Sequence, residues 1–167
     1  MAMRLILMRH AKSSWKAEAA SDHERPLNSR GRKDAPRIAK VLKRMGWWPD
    51  LVLSSDSERT RQTWELMAGI DETAKTSVQY LNDLYLAGLS DIQTVLYPLA
   101  SSTGSVLLLG HNPGWEEAAS YLSGVNIEMT TANCVLLEAD HMQWHGSCER
   151  LGSWRLVQVL RPRELED

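Results

Sequence analysis

Phenylalanine is absent from this 167-residue chain, and cysteine occurs only twice, at Cys134 and Cys148. Two cysteines cannot build a disulfide framework, and their spacing matches no common metal motif. The chain is therefore expected to fold by burying apolar surface, in a reducing compartment. Seven tryptophans supply the aromatic volume that phenylalanine would otherwise give. Long apolar runs are missing too. None approaches the ~18 residues of a membrane-spanning helix. The first, Leu5 to Met8, ends at Arg9 and is too short for the apolar segment of a secretion signal. No membrane partner is expected, and a cytoplasmic location is. A surplus of positive charge is also lacking: 19 Lys and Arg stand against 21 Asp and Glu, a net charge of −2. That balance argues against a general nucleic-acid partner. Repeats, low-complexity tracts and linkers are absent, so residues 1–167 read as one domain.

What is present is an alternation of short apolar runs and longer amphipathic stretches. Strands are expected at Leu5–Met8, Leu51–Ser54, Val78–Leu81, Val106–Leu109, Cys134–Glu138 and Trp154–Leu160. Helices are expected at Asn28–Met45, Ser57–Met67, Ser90–Leu99 and Trp115–Leu122. In the first helix Asn28 is a natural N-cap, Ile38, Val41, Leu42 and Met45 share a face, and Gly46 follows the end. Pro36 lies inside it and is expected to kink it. Gly124 is the expected stop of the last helix. Strand and helix in turn predict an α/β domain: a mainly parallel central sheet flanked by helices on both faces. The late strands are expected to add an antiparallel edge.

Sheets of this class place their sites beyond the carboxyl ends of the strands. The first strand runs into Arg9-His10-Ala11-Lys12-Ser13-Ser14, the second into Ser54-Ser55-Asp56-Ser57-Glu58-Arg59-Thr60, and the fourth into Gly110-His111-Asn112-Pro113-Gly114. Two histidines, two arginines and several small polar residues should thus open on one crevice. A guanidinium matches phosphate oxygens with paired, charge-assisted hydrogen bonds. An imidazole is a competent nucleophile near neutral pH. Alone, each feature has a plainer reading: a packed histidine, a solvated arginine, a turn into a helix. Their conjunction at three strand ends favours a phosphoryl site. Lys12 is either a source of positive potential at its mouth or simply solvated.

The segments at 5–15, 22–31 (Asp-His-Glu-Arg-Pro-Leu-Asn-Ser-Arg-Gly), 51–63 and 107–114 resemble, in order and spacing, the histidine phosphatase superfamily, or phosphoglycerate mutase-like fold. The likeness is greatest to its small phosphohistidine phosphatase, SixA-like branch. It implies that His10 is the phosphorylated nucleophile and that Arg9, Arg59 and His111 complete the phosphate pocket. It offers Asp83, in Asn82-Asp83-Leu84-Tyr85, as the nearest match to the general acid of many relatives. Ser13 and Asn112 are candidate pocket residues. Asp22 and Arg25 match a branch motif, and a structural role for them is to order the loop before the first helix. Ala11 stands where the superfamily often has Gly. No metal or cofactor is implied. The substrate is expected to be a protein phosphohistidine, or alternatively a small phosphoester. Rival readings are a mutase, a non-catalytic phospho-binding module, and a metal protein using His141, His145 and Cys148.

Overall fold

The apolar run at the start of the chain has core on both of its sides. Residues of β1 (Met3–Arg9) point alternately to opposite faces of a sheet. Leu5 and Leu7 join one buried cluster and Ile6 and Met8 another. Such a strand must lie centrally, with helices above and below. It does: six strands form one sheet in the order β3-β2-β4-β1-β5-β6, with β2 at Leu51–Ser55, β3 at Ser77–Leu81, β4 at Ser105–Gly110, β5 at Cys134–Ala139 and β6 at Arg155–Leu160. β1, β2, β3 and β4 are mutually parallel. β5 runs antiparallel to β1, and β6 to β5. The computed structural model describes residues 2–140 and 143–165.

Helices α1 (Ser29–Arg44) and α2 (Glu58–Ala68) cover one face. Their Ile38, Leu42, Trp64 and Met67 pack with Ile6, Leu107 and Leu109. Helices α3 (Leu89–Leu96) and α4 (Gly114–Ser123) cover the other. There Ile92, Leu96, Trp115 and Ala118 meet Leu5, Leu53 and Leu108.

The expected ends are mostly met for stated reasons. The Asn28 side chain accepts from the Gly31 N–H at 2.9 Å and caps α1; Ser57 caps α2 by accepting from Thr60 N–H. α1 continues through Pro36, because buried side chains on either side of it hold the helix to the sheet. α3 ends three residues before the expected Leu99. Tyr97 keeps helical geometry as the C-cap, but Pro98 has no N–H with which to carry the helix on. Trp154 lies before β6, not in it; it is buried and stacks on Trp144, ring centroids 5.9 Å apart.

Candidate active site

The three strand ends meet because β1, β2 and β4 are neighbours. In the β1–β4 register Arg9 pairs with Gly110, and the His10 N–H donates to the Gly110 carbonyl at 3.0 Å. This sets the His10 and His111 rings side by side, centroids 5.2 Å apart. Beyond β2, the Ser57 cap starts α2, and Arg59 in its first turn is buried against the same edge. Two close approaches tie down the loop that follows β1. The Ala11 N–H donates to Thr63 Oγ1 at 3.1 Å, and that hydroxyl donates to the Arg59 carbonyl at 2.7 Å. Gly31 lies against the Lys12 backbone, where any Cβ would run into the Lys12 carbonyl.

The hydrogen bonds fix which nitrogen of each histidine carries a proton. His10 Nδ1 is 2.7 Å from the Ala11 carbonyl. A carbonyl only accepts, so Nδ1 holds the hydrogen and Nε2 keeps its lone pair. Burial pushes the His10 pKa down to about 3, helped by the positive charges of Arg59, Arg9 and Arg25 and opposed by the Ala11 bond. His10 is therefore neutral at pH 7, with the Nε2 lone pair unprotonated. His111 Nδ1 accepts from Arg59 Nη2 at 3.3 Å, so its Nε2–H donates to Ser55 Oγ at 2.8 Å. Burial, then His10 and Arg59, push His111 down to about 2.

Each arginine is anchored yet incompletely paired. Arg9 Nη1 donates to the Met129 carbonyl at 3.1 Å. Arg59 donates to the Asp22 carbonyl at 2.7 Å and to Asp22 Oδ2 at 3.1 Å. The Nε atoms of both are buried without a partner among the described residues. Leaving a buried charged donor unpaired is costly, on the order of 1–3 kcal/mol or more, unless an anion completes it. Arg25 binds Asp22 Oδ1 and Ser13 Oγ, both at 3.0 Å. Its guanidinium lies 3.5 Å above the ring of Trp15, which is 75% exposed. The Tyr85 hydroxyl donates to Asp22 Oδ2 at 2.5 Å, and its ring meets His111 edge-on, centroids 5.4 Å apart. The Tyr85 bond, with Arg59 and Arg25, holds the Asp22 pKa near 2. Asp22 is thus an anion that already occupies one side of Arg59.

Of the expected residues, Arg9, His10, Arg59 and His111 are brought together. The three others are engaged or oriented differently. Asp83 is exposed, because the 3-10 turn Asn82–Leu84 sends Leu84 into the core and Asp83 outward. Tyr85 instead reaches the site. Ser13 is buried beneath Arg25. The Asn112 amide is spent on the Met129 carbonyl and Glu116, which makes it a support for the backbone that anchors Arg9. Sequence reasoning missed Tyr85, Ser55, Thr63 and Glu116, and it gave Asp22 only a loop role. Ser55 and Thr63 were visible within the 51–63 motif; nothing in the sequence marked Tyr85 or Glu116. Of the possible metal ligands, His141 lies outside the described residues, His145 packs on Tyr97 with centroids 3.9 Å apart, and Cys148 is buried. Among the described residues no group of three or more His, Cys, Asp or Glu could hold a metal ion, and no helix is long and apolar enough to cross a membrane.

The model of the histidine phosphatase superfamily (branch 1) matches residues 5–86, which hold Arg9, His10 and Arg59. An uncharacterised chloroplastic protein of Arabidopsis thaliana is 39% identical over 95% of this chain and 78% of its own length. The chain belongs to the histidine phosphatase superfamily. An uncharacterised Mycobacterium tuberculosis protein is 31% identical over 71% of this chain and 72% of its own. Within the superfamily the chain is SixA-like. A structure assigned as the phosphohistidine phosphatase SixA of Agrobacterium tumefaciens superposes with a TM-score of 0.79 at 27% identity, covering 96% of this chain and 98% of that one. The protein histidine phosphatase SixA complexed with tungstate shares the fold, with a TM-score of 0.82 at 23% identity over 98% of this chain and 100% of that one.

Proposed function

We propose that this chain is a metal-independent phosphatase that works through a phosphohistidine on His10, with protein phosphohistidine as its substrate. One observation carries the reading: a neutral imidazole with its Nε2 lone pair free stands among two buried guanidiniums that each keep an unpaired Nε. His10 Nε2 attacks phosphorus in line with the leaving group. The P–Nε2 bond forms as the bond to the leaving atom breaks. Arg9 and Arg59 take up the charge on the phosphoryl oxygens, which is the main protein contribution in phosphoryl transfer. His111, held by Ser55 through its Nε2–H, accepts from Arg59 through Nδ1 and so positions that guanidinium. Water then attacks phospho-His10, releasing orthophosphate and restoring the neutral ring. The two guanidiniums provide the positive charge that a metal ion supplies in other phosphoryl-transfer sites. With Asp83 exposed, solvent is the proposed source of the leaving group's proton. A leaving imidazole makes little demand on an acid.

The choice of a protein-borne substrate rests on what surrounds the site. The chain between Arg59 and His111 is consumed by α2, β3, the 3-10 turn and α3, leaving no cap to enclose a metabolite. The likeness to SixA proteins supports the same choice. The test is phosphate release, in chelator, from a phosphohistidine-bearing protein and from an aryl phosphate, by wild type and His10→Ala. Release by wild type alone, faster from the protein, is expected. Strict dependence on added metal, or a fully active His10→Ala, would overturn the reading. Preference for small esters would move the substrate to a phosphorylated metabolite.

A further inference from the structure

Helix α1 carries seven basic residues and a single acid, Asp34. Its net +6 stands in a chain whose total is −2, which leaves −8 for everything else. The helix dipole accounts for Lys43 and Arg44 in the last turn, but not for the basic residues at the other end. The first turn holds no acidic residue, and Arg30, Arg32 and Lys33 stand near the N-terminus, where the helix dipole disfavours cations. A local rule broken without local gain points to function.

The charges are also arranged. Arg30, Lys33, Arg37, Lys40 and Arg44 follow one another at steps of three and four, so they share one face of the helix. The opposite face carries Ile38 and Leu42 into the core. Lys33, Arg37, Lys40 and Arg44 line a groove of about 520 Å³ whose apolar floor includes Pro36 and Val41. Arg30, Lys33 and Arg163 line a second, of about 400 Å³, that reaches Thr131. Arg37 is held by Asp34 and the Leu165 carbonyl. Lys33, Lys40 and Arg44 make no hydrogen bond or ion pair among the described residues.

The stripe begins at the shoulder of the nucleophile. The Asn28 N–H, at the start of α1, donates to the Lys12 carbonyl at 2.9 Å. Arg30 donates to Thr131 Oγ1 at 3.3 Å, and the next residue, Ala132, donates its N–H to the His10 carbonyl at 2.9 Å. From there the stripe runs along the helix for roughly 20 Å, at about 1.5 Å per residue. A small phosphoester seated at His10 cannot touch its far end.

We propose that this face of α1 docks the acidic surface of the protein that carries the phosphoryl group. The inference rests on the phosphoprotein reading above and gives that substrate its recognition surface. Facing charges steer association and fix register. A compact acidic patch suits the stripe better than a long polyanion, because the remainder of the chain, at −8, repels whatever extends past it.

The test uses two proteins of similar size, one acidic and one basic, each phosphorylated on histidine with phosphoramidate. Aryl phosphate is the control. The proposal expects wild type to hydrolyse the acidic protein with kcat/KM about ten-fold or more above the basic one, through KM. It expects added salt to erase that advantage. The triple variants Lys33→Glu/Lys40→Glu/Arg44→Glu and Lys33→Gln/Lys40→Gln/Arg44→Gln should lose it too while keeping aryl phosphate turnover, which shows that they fold. Equal hydrolysis of the two proteins by wild type, or an unchanged preference in both variants, overturns the docking face alone. Duplex RNA binding to the stripe at physiological ionic strength, with no preference between the proteins, also overturns it. Hydrolysis of aryl phosphate but of neither protein overturns the phosphoprotein reading, and the docking face with it.

Discussion

Acid should destabilise this protein through two imidazoles before it touches any carboxylate of the site. His10 and His111 have folded pKa values pushed down to about 3 and about 2, from an ordinary 6.5. Both are depressed, so below pH 6.5 the unfolded chain binds protons that the folded chain does not. Stability is complete above 6.5 and is lost as pH falls from 6.5 toward 3. One pH unit corresponds to about 1.4 kcal/mol per group. Between pH 6.5 and 5 each histidine thus costs about 2 kcal/mol, and the pair about 4, a large share of a typical 5–15 kcal/mol. Asp22 does not confuse the measurement, because its shift, from 3.8 down to about 2, acts only below pH 4. The assay is urea denaturation at pH 7 and pH 5 of wild type, His10→Gln, His111→Gln and the double variant. Each substitution should remove about 2 kcal/mol of the loss on acidification. If the double variant loses as much stability as wild type, the histidines are not held neutral by the fold, and the argument for a neutral nucleophile falls.

Other consequences are more local. Arg59→Ala should lower kcat/KM by about 10²–10³-fold, the loss expected for one preorganised donor at an oxyanion; steady-state kinetics on aryl phosphate reads it directly. Thr63→Val keeps the shape but strands the buried Ala11 N–H, so urea denaturation should show a loss of about 1–3 kcal/mol. Asp83→Asn should leave turnover unchanged, since the carboxylate stands outside the site; a fall of about 10²-fold or more would restore its role as an acid.

Much of this architecture was legible in the chain, because burial on both sides of a central strand leaves a plain signature. Leu5–Met8 and Val106–Leu109 are continuous apolar runs for that reason, and both strands were found with ends one or two residues short. The Asn28 cap was readable because a capping oxygen acts within three residues. The four residues gathered at the site were visible because each directly follows or flanks a strand end. What escaped is tertiary. α3 stops short because Pro98 outranked the apolar periodicity that ran on to Leu99. Asp83 and Tyr85 are two residues apart, and only the 3-10 turn decides that Leu84 goes inward and Tyr85 toward His111. Glu116 supports Arg9 through the Met129 backbone, where it accepts the N–H at 2.8 Å; no local pattern encodes a contact made through a third residue. The basic periodicity of α1 was in plain view, but only the register of the helix against the core turned it into a face.

The central claim is that His10 carries the phosphoryl group between substrate and water. Rapid quenching of the wild-type reaction into alkali, followed by mass spectrometry of the peptides, tests it most directly. The account predicts a phosphoryl group on His10, stable in alkali, lost in acid and absent from His10→Ala. A phosphoryl group on another residue, or steady turnover by His10→Ala, would contradict it.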